Sequence, residues 1–150
     1  MKLSDAIDEI IIEMSPADGD KFSVIEHLLD VAMTAGKVQN REQALNDLIE
    51  RERYLSTGYE NGLAVPHAKS TAVSEIVLVF GLYREGIDFD SLDGLPTHFV
   101  FLLLSPVDTS GPHLQALALL ARNFQTPEIT QQLLRASTLT DVHNILKTFK

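Results

Sequence analysis

Thr97-His98-Phe99-Val100-Phe101-Leu102-Leu103-Leu104 carries an unbroken apolar run from Phe99 to Leu104. The run is far too short to span a bilayer, and it has the length and composition of a strand buried on both faces. Upstream, Ile76 to Tyr83 is rich in branched and aromatic residues and reads as a second strand. Between them, Gly86-Ile87-Asp88-Phe89-Asp90-Ser91-Leu92-Asp93-Gly94 reads as a loop or hairpin connection. Two shorter apolar runs add candidate strands. One is Ile10-Ile11-Ile12 with Met14, closed by Ser15-Pro16, and the other is Leu63-Ala64-Val65, cut off by Pro66, which has no ladder N–H to give.

The segments around these runs carry a different period. From Asp20 to Ala35, Phe22, Ile25, Leu28, Leu29, Ala32 and Met33 recur at three- and four-residue steps, one face of a helix, and Gly36 stands where a left-handed residue would stop it. Asn40 with Gln43 reads as a capping box opening a second helix through Arg53, which buries Ala44, Leu45, Leu48 and Ile49 and ends near Tyr54 and Leu55. Three more helices are expected over 112–123, 127–135 and 140–147, with Pro112 and Pro127 near their starts, where a missing N–H costs nothing. Helices before, between and after near-continuous apolar strands predict an α/β three-layer sandwich, a mixed sheet of about four to five strands covered on both faces.

Composition narrows the function classes. The 150 residues are 45% apolar and 22% charged, an ordinary globular balance that argues against a disordered tail, collagen or a disulfide miniprotein. No linker, charge block or repeat divides them, so one domain over residues 1–150 is the expected partition. Twelve Lys and Arg against 21 Asp and Glu give a net charge of −9, which repels phosphate backbones and anionic lipid, so neither nucleic-acid binding nor membrane insertion is expected. There is no cysteine, which excludes disulfides, thiolate nucleophiles and cysteine-based zinc sites. Met1-Lys2-Leu3-Ser4-Asp5-Ala6 lacks the layout of a signal peptide, and a cytoplasmic protein is expected.

Phosphate-loop, dinucleotide and nucleophile-elbow motifs are missing, and no two histidines have a helix-borne metal spacing. What remains is histidine. His27 beside Glu26 and Asp30, and His143 beside Asp141, read as solvated helix positions, and His98 as a structural residue at the start of a strand. His67 differs. It follows Pro66 at the end of a short buried strand, and strand ends of α/β sheets present side chains to a crevice. Proline stiffens the backbone just before it. The competing reading is a loop histidine bonded to a nearby carbonyl.

Glu50-Arg51-Glu52-Arg53-Tyr54-Leu55-Ser56-Thr57-Gly58-Tyr59-Glu60-Asn61-Gly62-Leu63-Ala64-Val65-Pro66-His67-Ala68-Lys69 resembles the phosphohistidine signature of the mannitol/fructose-type enzyme IIA domains of the bacterial phosphotransferase system, a family that includes nitrogen-regulatory members. Gly86-Ile87-Asp88-Phe89-Asp90 with Gly94 resembles the family segment before its central strand. His113-Leu114-Gln115-Ala116-Leu117-Ala118 resembles the start of the helix that carries the family's second active-site histidine.

The resemblance covers essentially the whole chain. It implies that His67 accepts a phosphoryl group from the phosphohistidine of the carrier HPr, or an HPr-like paralogue, and passes it to a cysteine of an enzyme IIB in sugar uptake. It also implies that His113 and Arg51 stabilise the phosphate. The alternative it implies is a regulator whose phosphorylation state switches binding to target proteins, a reading the absence of any fused segment favours slightly. No metal or nucleotide cofactor is expected for transfer between histidines.

The chemistry agrees with those roles. Phosphoryl transfer spreads charge over three oxygens and asks the protein mainly to position and neutralise. Neutral imidazole is a good nucleophile near neutral pH, and guanidinium offers a planar, permanently charged fork. The helpers keep simpler readings beside these. Arg51 could pair with Asp47, Glu50 or Glu52 in solvent, and His113 could be a helix-start residue. Ser56 and Thr57 could offer hydroxyls to the site or cap the helix. Lys69 and His98 are not expected to take part. Tyr59-Glu60-Asn61 departs from the family pattern, and the Glu60 charge is expected to point to solvent.

Overall fold

The computed structural model describes residues 3–14 and 19–150. The helix and strand order is α1 (Leu3–Asp8), β1 (Ile11–Glu13), α2 (Lys21–Thr34), α3 (Arg41–Tyr54), β2 (Leu63–Ala64), β3 (His67–Lys69), β4 (Val77–Ile87), β5 (Thr97–Ser105), α4 (Ser110–Asn123), α5 (Pro127–Arg135) and α6 (Leu139–Leu146). Five strands form one mixed sheet in the order β1-β4-β5-β2, with β3 also on β5. The pairing of β4 with β5 is antiparallel, and the pairings of β1 with β4 and of β2 and β3 with β5 are parallel. This is the mixed sheet between helical layers that the sequence predicts.

Period-two alternation along the central strands divides the interior in two. Val100, Leu102 and Leu104 face a core shared with α2 and α3, while Phe99, Phe101 and Leu103 face a second core shared with α1, α4, α5 and α6. Both faces of β5 are therefore dry, which is why its run is apolar without a break.

Helix starts are fixed locally. Asp20 accepts from the Ser23 N–H at 2.8 Å and opens α2. Asn40 accepts from the Gln43 N–H at 3.1 Å and opens α3, but the Gln43 side chain turns to Asp47 at 3.0 Å, so only half of the expected capping box forms. Gly36 has φ +75 and ends α2 as expected.

The edge made by β2 and β3 positions the site. Leu63 faces Phe99 and His67 faces Leu103, so the two pieces keep one register on β5 across Val65-Pro66. Pro66 offers no N–H, but its carbonyl accepts from Leu103 at 3.0 Å, and the edge carries on past it. His67 is thus a strand residue, held in a ladder.

Several boundaries differ from the sequence reading. Strand β4 runs on through exposed Arg84 and Glu85 to Ile87, with a register shift between Leu82 and Ile87, so its last turn-like residues belong to the sheet. Helix α1 had no sequence signal, and α4 begins at Ser110. Leu45 and Ile49 are only half-buried against the core. The expected strand stop at Ser15-Pro16, and Met1 and Lys2 of the N-terminal reading, lie outside the described residues.

Candidate functional site

Four segments converge at the β2–β3 edge: the last turn of α3, the loop after it, β3, and the start of α4. Arg51 is in the last turn of α3, where its Nη1 donates to the Leu55 carbonyl at 2.6 Å. The guanidinium therefore anchors its own helix end, and no ion pair with Asp47, Glu50 or Glu52 forms among the described residues.

His67 is held from behind. Its Nδ1 donates to the Val65 carbonyl at 2.6 Å, since a carbonyl can only accept, and the proton is thereby placed on Nδ1. The carbonyl bond of the simpler reading is real, and it leaves Nε2 with a bare lone pair. Burial holds the ring below the usual histidine pKa, with Arg51 pushing the same way and the Val65 bond and Glu52 opposing. The neutral form is favoured.

His113 is 6% exposed and sits on the first turn of α4. Its ring centre lies 5.4 Å from that of His67, with the planes tilted by 54°. Its Nδ1 is 2.7 Å from Ser105 Oγ. Burial, then His67 and Lys69, push its pKa down to about 4.

Two cavities meet at these side chains. A polar cleft of about 500 Å³ is walled by Arg51, His67, Lys69 and His113 together with Asp47 and Glu50. An apolar pocket of about 350 Å³ shares Arg51 and His67 in its lining, with Leu55, Tyr59, Leu92 and Leu117. The three side chains that the sequence singles out thus share one cleft. Lys69, set aside in the sequence reading, stands in its wall and donates from Nζ to Ser110 Oγ at 2.9 Å. Glu60 is exposed. His98 Nδ1 bonds the Tyr83 carbonyl at 2.9 Å, away from the cleft, and His27 lies 3.4 Å from Glu13.

The loop between α3 and β2 is fastened by a residue that the sequence reading offered only as a possible solvent partner of Arg51. Glu52 is only 2% exposed. It accepts from the Thr57 N–H at 2.8 Å and the Thr57 hydroxyl at 2.5 Å, with Lys21 Nζ at 3.5 Å. Ser56 Oγ donates to the Phe89 carbonyl at 2.5 Å. Neither hydroxyl caps α3: both tie the site loop, one to the helix side chain and one to the β4–β5 connection.

The arrangement is an imidazole with a bare Nε2, a second neutral imidazole and a fixed guanidinium at one opening. Residues 6–149 match the family model for the phosphoenolpyruvate-dependent sugar phosphotransferase system, EIIA 2. The chain belongs to this enzyme IIA family. A fructose-specific EIIA component of Haloferax volcanii is 39% identical over 136 residues, spanning 91% of this chain and 88% of its own. A nitrogen regulatory protein of Bradyrhizobium diazoefficiens is 33% identical over 108 residues, spanning 72% of this chain and 71% of its own. The crystal structure of the nitrogen regulatory protein IIA-Ntr of Neisseria meningitidis superposes with a TM-score of 0.80 at 28% identity, covering 96% of this chain and 98% of that one. A phosphoryl-carrier role in the phosphotransferase system follows from this membership. No helix of the described residues is long and apolar enough to cross a membrane.

Proposed function

We propose that this enzyme IIA chain, read as a single domain over 1–150, accepts a phosphoryl group on His67 Nε2 from the phosphohistidine of HPr or an HPr-like carrier, and hands it to a cysteine of an enzyme IIB. The observation that carries this is the His67 ring, proton fixed on Nδ1 by the Val65 carbonyl, in a cleft shared with Arg51 and His113. In the step, the Nε2 lone pair attacks phosphorus, the donor's N–P bond breaks, and its electron pair returns to the donor imidazole. The phosphorylated ring keeps its Nδ1 proton and carries positive charge, which the carbonyl dipole stabilises. Arg51 and His113 neutralise the phosphoryl oxygens, the term that dominates a loose transition state.

Incubation with phosphoenolpyruvate, enzyme I and HPr tests the reading. An acid-labile label on the parent and none on His67→Ala is the expected result. An unlabelled parent overturns it. The second reading, a regulator whose binding is switched by charge at His67, is favoured by the likeness to the nitrogen regulatory proteins. Label that no enzyme IIB accepts, with target binding that changes on phosphorylation, selects it.

A further inference from the structure

We propose that Ser105 is a positioning residue: its hydroxyl donates to Nδ1 of His113 and holds that ring with its proton on Nε2, the nitrogen left to meet a phosphoryl oxygen on His67. The functional half of this inference rests on the carrier reading above.

The argument starts from the hydroxyl. Ser105 ends β5, is fully buried, and its Oγ makes one hydrogen bond among the described residues, to His113 Nδ1 at 2.7 Å. A buried hydroxyl has a single proton to place. Were the proton of the ring on Nδ1, Oγ would accept it and the hydroxyl proton would have no acceptor, the costly case for a buried donor. With Nδ1 bare, the hydroxyl gives its proton to the ring and both groups are satisfied. His113 is neutral at physiological pH, since burial depresses its pKa to about 4, so one ring nitrogen is bare and the other carries the proton.

The two histidines are therefore held from behind by opposite partners. The Val65 carbonyl can only accept, which leaves His67 Nε2 as a lone pair, whereas the Ser105 hydroxyl donates, which leaves His113 Nε2 as an N–H. No hydrogen bond within the described residues engages Nε2 of either ring. The rings are 5.4 Å apart, so the result is a nucleophile and a neutral donor side by side. The opposite tautomer of His113 would turn a lone pair toward the phosphoryl oxygens. Ser105 is well placed to be rigid: its carbonyl accepts from the Ser70 N–H at 2.8 Å, and it lies opposite Lys69, two residues beyond the His67 pair in the same ladder. One edge of the sheet thus sets both rings.

The test begins with the unphosphorylated full chain labelled with nitrogen-15 histidine. The imidazole nitrogen shifts are expected to show His113 protonated on Nε2 and bare on Nδ1, and His67 the reverse. A His113 protonated on Nδ1 overturns the proposal. Ser105→Ala is expected to shift the His113 Nδ1 signal or mix the tautomers, and to slow phosphoryl transfer from phospho-HPr by about three- to tenfold, the worth of one hydrogen bond. Ser105→Thr, which keeps a hydroxyl, is expected to restore both. In a His113→Ala background, Ser105→Ala is expected to slow transfer no further. An equal slowing there means that the hydroxyl acts through packing alone, and the proposal fails. A parent that takes no label overturns the carrier reading only, and the nitrogen shifts still decide the tautomer.

Discussion

Arg51 shows how much one side chain can be asked to do. Its guanidinium is already committed to the Leu55 carbonyl through Nη1, which orients the remaining N–H groups and lowers the entropy lost when phosphate arrives. Arg51→Ala is expected to slow labelling of His67 by about a hundredfold, the scale of losing one preorganised donor to a developing charge. Arg51→Lys should recover little, because an ammonium cannot reproduce the fork, and rapid-quench labelling with phospho-HPr measures both. Glu52 works differently. Its carboxylate satisfies two buried donors of Thr57, so Glu52→Ala is expected to cost about 2 kcal/mol in a urea titration, the penalty for stranding them. A loss below about half a kcal/mol would show that the loop finds other partners.

At the scale of elements, the loop after α3 is built around a close approach. A Cβ on Gly58 would lie 2.5 Å from the Phe89 carbonyl oxygen and 2.9 Å from the Ser91 Cα, both backbone atoms that cannot swing aside. Gly58→Ala is therefore expected to push the α3–β2 loop off the β4–β5 connection and cost about 1–3 kcal/mol, seen as a lower thermal midpoint, with slower labelling of His67 because Arg51 and Val65 flank the same loop. Asn40→Ala, which removes the cap of α3, should cost about 1 kcal/mol with labelling unchanged, because that end of the helix is far along the chain from Arg51. The pair of variants separates damage to the site loop from damage to the helix that leads into it.

The whole molecule should answer to acid through its histidines. In the folded chain His113 titrates at about 4 against an ordinary value of 6.5, and His67 is shifted downward too. Between those two values the unfolded chain binds a proton that the folded chain refuses, so stability rises with pH across that window and is lost as pH falls from 6.5 toward 4. Urea midpoints measured from pH 7 to 4.5 are expected to fall, and His113→Asn to flatten part of the slope. An unchanged slope in that variant would contradict the buried, neutral state of the ring. Labelling should weaken with acid as well, since only the neutral His67 ring is a nucleophile. With a net charge of −9, the encounter with a basic partner should slow as salt rises while the chemical step does not.

Much of this was legible in the chain itself. The unbroken apolar run at Phe99–Leu104 had to lie between two dry layers, and the helical period from Phe22 to Met33 had to cover one of them, because periodicity records which faces meet water. The stiff Pro66-His67 step and the Gly36 stop are likewise local properties, set by backbone chemistry. Tertiary structure decided the rest, since it depends on which distant groups become neighbours. The strand read from sequence stops at Tyr83, short of Arg84 and Glu85, and only the ladder with its register shift carries it on to Ile87. Glu52 entered the sequence reading only as one possible solvent partner of Arg51, until Thr57 folded over it. Ser105 lay one residue past the strand as read from sequence, until β5 took it in and α4 laid His113 against its hydroxyl. No spacing in a sequence encodes a proton's place on an imidazole ring: that is settled only when an acceptor or a donor is brought within bonding distance of it.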